Sequence, residues 1–289
     1  MRIGLFLGCT VPVRAINYEQ AFRRVAQELG IQIIDVPEFF CCGFPLKSVK
    51  EESGILMALT NLALAEERGI QDLVTLCNAC TENLTEANFL WKEDPGTREK
   101  FQPLLKEIGH NYSGSVEVRH SARFLFDEFK EKIKEKITRN LKSLKLFPYT
   151  GCHFARPSRI YQGFDNPEFP DTLGELLKST GAQVLMEANP CCGGAVLGFK
   201  EETSLSMAGL TLKEAKKSGS DAMVLICPFC DIMFEQNQKK VEKALGEALD
   251  LPVVFLPQVL GLALGIPKEE LGFNLNRVKM DSFFSKLEG

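Results

Sequence analysis

Asp72-Leu-Val-Thr-Leu-Cys-Asn-Ala-Cys80 and, 150 residues further on, Ala222-Met-Val-Leu-Ile-Cys-Pro-Phe-Cys230 are short apolar runs that each end in a Cys-X-X-Cys pair. A run of this length between a glycine and a cysteine predicts a buried strand whose carboxyl end delivers thiols. Upstream of each lies a helical pattern, 53–68 and 202–218, closing at Gly69 or Gly219 as helix C-termini do. Before those helices come the double cysteines, Cys41-Cys42-Gly43 and Cys191-Cys192-Gly193-Gly194. Earlier still are strand patterns at 32–36 and 183–187 and helical patterns at 15–29 and 172–180, ending at Gly30 and Gly181. Each half opens with a strand, 2–7 or 145–149, that runs through glycine into Cys9 or Cys152, and fourth strands are expected at 116–119 and 253–256.

The order is βαβαβαβ twice. It predicts an α/β fold of two pseudo-symmetric Rossmann-like domains, each a small parallel β-sheet flanked by helices, with boundaries at 1–143 and 144–289. The interval is 143 between Cys9 and Cys152 and 150 for each of the other four cysteine pairs, so all ten cysteines belong to the repeat. Ligands of open parallel sheets collect at strand carboxyl ends, and every cysteine cluster sits at one. Five thiols per half should therefore converge on one rim, and the two rims are expected to face each other across a cleft.

With 289 residues, 45% of them hydrophobic, the chain can bury two cores and needs no disulfide framework. A net charge of −4 at pH 7 argues against nucleic acid as a partner. The longest apolar candidate, 252–267, is interrupted by Pro257 and Gln258, so no membrane span is expected, and Ile3 to Leu7 is too short for a secretory signal. A cytoplasmic, reduced chain is the expectation. The linking stretch 127–145, with Lys130, Lys132, Lys134, Lys136, Arg139, Lys142 and Lys145 among acids, reads as a solvated helix, and Pro95 to Arg98 as a turn between helices.

Zinc takes four ligands and an ordinary cubane takes four cysteines, so five thiols per half suggest an unusual cluster with a bridging thiolate, or one cysteine left free for chemistry. Thioredoxin-like chemistry at Cys77/Cys80 or Cys227/Cys230 would leave the other cysteines unexplained. The chain resembles the B subunit of heterodisulfide reductases, a family defined by two such repeats. The resemblance is carried by the double cysteines and by Phe6-Leu-Gly-Cys9, Cys77-Asn-Ala-Cys80, Val118-Arg-His120, Thr150-Gly-Cys-His153, Cys227-Pro-Phe-Cys230 and the tail motifs 260–265 and 270–272.

The resemblance implies an N-terminal and a C-terminal cysteine-rich CCG domain, each holding a noncubane 4Fe-4S cluster. The first would use Cys9, Cys41, Cys42, Cys77 and Cys80, the second Cys152, Cys191, Cys192, Cys227 and Cys230. It also implies reduction of a small disulfide or thiol-linked substrate in one-electron steps, such as the disulfide of coenzymes M and B. Electrons would come from a ferredoxin-like C subunit fed by a flavin-containing A subunit, since no Gly-X-Gly-X-X-Gly follows a strand here. Two rival readings stay open: an iron–sulfur electron-transfer subunit of a lactate, glycolate or quinone-linked oxidoreductase, and a scaffold built on structural zinc.

His153, Cys152 and Cys192 are the candidate catalytic residues, His153 because an imidazole beside a cluster can protonate a departing thiolate or hydrogen-bond a sulfide. His120 is placed at another strand end, with a capping role the plainer reading, and His110 at the surface. Gly43, Gly193 and Gly194 are expected to supply positive φ and close backbone approach, and Pro190 and Pro228 to act as scaffolding. Lys47, Arg156, Arg159 and Lys200 follow the cysteine motifs, either meeting an anionic substrate tail or lying in solvent.

Overall fold

The computed structural model describes residues 1–185 and 190–288. Two four-stranded parallel sheets form, β2-β1-β3-β4 and β6-β5-β7-β8, with the same strand order in each. The first comprises β1 (Arg2–Phe6), β2 (Gln32–Ile34), β3 (Asp72–Thr75) and β4 (Glu117–His120). The second comprises β5 (Lys145–Tyr149), β6 (Gln183–Val184), β7 (Ala222–Leu225) and β8 (Val253–Phe255). The central strands are apolar without alternation because helices cover both faces: Leu73 and Val74 of β3 and all of β7 are fully buried. In the order 2-1-3, chain direction switches between β1 and β3 and again between β5 and β7, which is where such sheets open a crevice at the strand ends. Cys9 and Cys77 follow one such pair of strands, Cys152 and Cys227 the other.

The second strand of the C-terminal half is shorter than expected, and Met186 and Glu187 of that expectation lie outside the described residues. Pro95 to Arg98 is not a turn. Pro95 opens the helix Pro95–Glu107, and the Asp94 carboxylate, accepting from the Gly96 and Thr97 amides, both ends one helix and starts the next. Most of the segment expected as a solvated helix belongs to Ser121–Lys136, which buries Phe124, Leu125, Phe129 and Ile133. Its lysines are tied down on both sides: Lys132 Nζ donates to the Leu29 carbonyl of the same half at 2.7 Å, and Lys130 pairs with Glu175 of the other half at 3.4 Å. Among the described residues, no helix is long and apolar enough to cross a membrane.

The halves are interlocked rather than strung in series. Tyr18 stacks on Phe255 with ring centroids 4.2 Å apart, Arg24 pairs with Glu270 at 2.6 Å, and the Thr138 and Arg139 amides both donate to the Ala263 carbonyl at 3.0 Å. Helix Leu256–Ala263 of the second half packs against Ile16–Glu28 of the first. With so much of the core shared, we expect denaturant unfolding to be one cooperative transition. The sole tryptophan, Trp91, is 3% exposed and reports on the first half. Its fluorescence transition should coincide with the far-ultraviolet circular dichroism transition of the whole chain, and two separated midpoints would show independent halves.

Candidate metal centres

The ten cysteines are all free, and each thiol perturbs the proton affinity of a neighbour along one series. Cys9 lies 3.8 Å from Cys41, and the series continues through Cys42 and Cys80 to Cys77. From Cys77 the series crosses to Cys227 in the other half, then runs through Cys230, Cys192 and Cys191 to Cys152. The second half retraces the first in reverse order, so the pseudo-two-fold axis passes beside the Cys77–Cys227 pair. The rims do not face each other across an open cleft at that point; they abut. The Cys-X-X-Cys pairs stand at the starts of the helices Asn78–Glu93 and Pro228–Asp231, directly after β3 and β7, each helix packing on strands of its own sheet.

Main-chain geometry builds each pentad. Gly43 (φ +93°) and Gly193 (φ +81°) adopt the expected left-handed conformation, and a Cβ would lie 2.5 Å from the Gly54 carbonyl or 2.9 Å from that of Ser204. Gly194 departs from expectation: its φ is not positive, and its amide points at the Cys192 sulfur at 3.5 Å, as that of Gly193 points at Cys191 at 3.4 Å. Asn83 Nδ2 donates to the Cys42 carbonyl at 2.7 Å, and Asn61 Nδ2 to that of Cys41 at 3.3 Å, fixing the first double-cysteine loop. In the second half Ser204 Oγ bonds the Gly193 carbonyl at 2.8 Å.

Neighbouring thiols push one another's proton affinities apart. Cys41, donating to Cys42, is held above the usual thiol range, whereas Cys42, accepting from Cys41 and Cys80, is pulled to about 4. Cys191, accepting from Cys152 and Cys192, is lowered likewise, and Cys192, donating to Cys191, rises to about 12. Such alternation describes thiols sharing protons; metal binding would replace those protons throughout.

The junction is fixed by polar groups crossing between halves. Tyr18 OH donates to the Ile226 carbonyl at 3.1 Å, and His120 Nε2 lies 2.9 Å from the same oxygen. His120 Nδ1 accepts from the Ala122 amide at 3.1 Å, so Nε2 carries the proton, and burial holds the imidazole neutral by lowering its pKa to about 4. His120 is thus a helix cap that braces the strand end before Cys227. His110 is half-buried beside Glu67, at 3.1 Å.

All five thiols of the second pentad line one cavity of about 90 Å³, together with His153 and, from the first half, Phe44, Asn78 and Ala79. His153 Nδ1 is buried there and has no hydrogen-bond partner among the described residues, while its ring meets the edge of Phe44 at 5.0 Å. Tyr161 OH holds the His153 carbonyl at 2.8 Å. Tyr161 belongs to the segment between β5 and helix Thr172–Ser179, which is longer than its counterpart in the first half; partly offset by the shorter helix that follows, it underlies the change of interval from 143 to 150.

Of the four basic residues, two are committed internally. Lys47 Nζ bridges Glu82 (2.6 Å) and Glu86, and Arg159 also binds Glu86; Glu82 is 3% and Glu86 7% exposed. Arg156 Nε donates to the Pro167 carbonyl at 2.6 Å, and Lys200 is exposed. The two carboxylates escaped sequence reasoning, although their spacing of four on the helix after Cys80 puts them on one face. Asn78, hidden between two cysteines, was also missed.

Five converging thiols per half, main-chain N–H donors on sulfur and apolar walls suit an iron–sulfur cluster. They exceed the four donors of tetrahedral zinc. Among the described residues, no three His, Cys, Asp or Glu side chains are gathered tightly enough to hold a single metal ion.

The cysteine-rich CCG domain family matches residues 3–85 and 147–235, one copy for each sheet. The chain is 36% identical to the B subunit of the ferredoxin:CoB-CoM heterodisulfide reductase of Methanosarcina mazei, over 99% of this chain and 97% of that protein. It is 31% identical to the 8-methylmenaquinol:fumarate reductase membrane anchor subunit of Wolinella succinogenes, over 94% and 95% of the respective lengths. The crystal structure of a hypothetical protein from Helicobacter pylori shares the fold, with a TM-score of 0.76 at 16% identity over 96% of this chain and 52% of that one. The chain belongs to the CCG-domain family formed by the B subunits of heterodisulfide reductases and their relatives, a family of oxidoreductase subunits.

Replacing Lys47 with Met leaves two buried carboxylates without their shared cation. We expect Lys47→Met to cost about 3 kcal/mol in denaturant unfolding. A loss near zero would return Lys47 to the surface role.

Proposed function

We propose that the chain is the catalytic iron–sulfur subunit of a heterodisulfide reductase-like complex, reducing a small disulfide to two thiols at two noncubane 4Fe-4S clusters. The observation that carries this reading is the pair of complete pentads, each gathered after the strands of one parallel sheet, the second lining a single cavity that Phe44, Asn78 and Ala79 of the first half help to close. Cys9, Cys41, Cys42, Cys77 and Cys80 would hold one cluster, and Cys152, Cys191, Cys192, Cys227 and Cys230 the other. When bound, the clusters supply electrons one at a time and iron that can take up a thiolate. The protein holds them with ten thiolates and excludes water from the second with Phe44 and Phe229, which flank that cavity.

His153 is the proton donor in this reading. It follows Cys152, lines the cavity and keeps a buried Nδ1 with no partner among the described residues, so the ring can carry a proton to a thiolate released beside Cys152 and Cys192. Electrons would arrive from a ferredoxin-like C subunit and a flavin-containing A subunit of a cytoplasmic complex. The similarity to a fumarate reductase subunit favours a second reading, an electron-transfer subunit without disulfide chemistry.

Metal analysis of anaerobically purified protein tests the first step. It should give about eight irons and about eight acid-labile sulfides per chain. Cys42→Ser and Cys192→Ser should each lower that iron content toward half, and a thiol-dependent paramagnetic signal should separate the disulfide reading from electron transfer alone. Zinc without iron would overturn both readings.

A further inference from the structure

The helix Asn78–Glu93 carries Asn78, Glu82 and Thr85 at intervals of four and three, so the three side chains share one face. Each ends in a buried oxygen with no hydrogen-bond partner among the described residues: Asn78 Oδ1, Glu82 Oε2 and Thr85 Oγ1. The first two are held in that orientation. Asn78 Nδ2 donates to the Thr150 carbonyl at 2.6 Å, and because a carbonyl only accepts, the amide cannot turn over to satisfy Oδ1. The other carboxylate oxygen of Glu82 accepts from Lys47 Nζ at 2.6 Å.

This row joins two cavities. At its inner end Asn78 lines the cavity of the second pentad together with His153, whose buried Nδ1 also lacks a partner among the described residues. At its outer end Thr85 lines another cavity, of about 160 Å³, beside the exposed Lys92, Glu93 and Glu117. The facing wall makes the same passage. His153 lines the inner cavity and Tyr161 the outer one, and Tyr161 OH donates to the His153 carbonyl at 2.8 Å. Helix Ser158–Tyr161 packs against Asn78–Glu93 along the way.

A buried polar atom left dry bears its full desolvation penalty, and bound water is what ordinarily relieves it. At 1.5 Å of rise per residue, Asn78 and Glu82 stand about 6 Å apart along the helix axis, and Glu82 and Thr85 about 4.5 Å. One water donating to two oxygens joins atoms about 4.5 Å apart, so one or two waters fill each interval. On the same face of the second half stand Pro228, Ile232 and Glu235, and the Glu235 carboxylate already accepts from the Arg277 and Val278 amides. Among the described residues, no equivalent row leads toward the first pentad.

We infer that this face holds a file of buried waters running from the outer cavity to the second pentad, and that the protons for disulfide cleavage travel along it. This rests on the disulfide-reducing reading. Cleaving one disulfide to two thiols breaks the S–S bond and consumes two electrons and two protons. The electrons come from the donor subunits of that reading, and the protons from solvent. Phe44 and Phe229 flank the inner cavity and keep bulk water from it, so protons need a bounded route. Glu82, paired with Lys47, serves the file as an acceptor, and each water passes a proton to the next.

A crystal structure of the anaerobic holoprotein, at a resolution that shows bound water, tests the file itself. Ordered waters should bridge Asn78 Oδ1 to Glu82 Oε2 and Glu82 Oε2 to Thr85 Oγ1; a dry face would overturn the inference. Stopped-flow oxidation of the reduced holoprotein by the disulfide of 2-mercaptoethanol, in H2O and in D2O, tests the proton role. Thr85→Val removes the hydroxyl and keeps the shape. It should slow that oxidation about tenfold and raise the solvent isotope effect at unchanged iron content, and Thr85→Ser should restore both. Wild-type rate and isotope effect in iron-replete Thr85→Val would overturn the proton role. If Thr85→Val fails to retain iron, the crystal structure decides. An iron-replete wild type that the disulfide does not oxidise would overturn the proposed function, and the proton role with it, while the crystal structure still decides the file.

Discussion

Everything near the pentads depends on how the Ile226 carbonyl is held. It is the last acceptor before Cys227, and Tyr18 and His120 of the opposite half both reach it. A buried carbonyl with two donors is fixed in direction, and the turn that follows is fixed with it. The Asn78 side chain makes the reciprocal attachment to Thr150, just ahead of Cys152. These three side chains convert two separate sheets into one platform. The stacking of Tyr18 on Phe255 and the bracing helix Ser121–Lys136 extend that platform outward.

Local pattern was enough for much of the fold. The eight strands fall close to where apolar runs placed them because buried parallel strands leave an unmistakable trace: a few consecutive apolar residues bounded by glycine. The cysteine repeat was equally plain, since four cysteines recur at an interval of 150 and the leading one at 143. Glycines 43 and 193 read correctly for the same reason, as residues without a Cβ beside a loop that must turn sharply.

What stayed hidden was long-range pairing. Glu82 and Glu86 look like ordinary helix-surface acids until the double-cysteine loop folds Lys47 over them. The lysines of Ser121–Lys136 look solvated because alternating charge says nothing about which carbonyl or carboxylate waits across the helix. Pro95 looked like a turn because proline suits both a turn and a first helical position, and the Asp94 cap decides between them. The abutting rims were illegible for a plainer reason: no periodicity within one half records how it meets the other.

Carrying both halves on one chain has a consequence of its own. In a dimer of identical subunits every substitution appears twice, so an isologous interface is held to symmetry. Here the two copies are covalently joined and free to diverge. Position 78 can be asparagine while position 228 is proline, and a longer connection can cover His153 while its counterpart beside Thr10 stays short. Joining the repeat allows a symmetric framework to have two distinguishable sides, and therefore a direction.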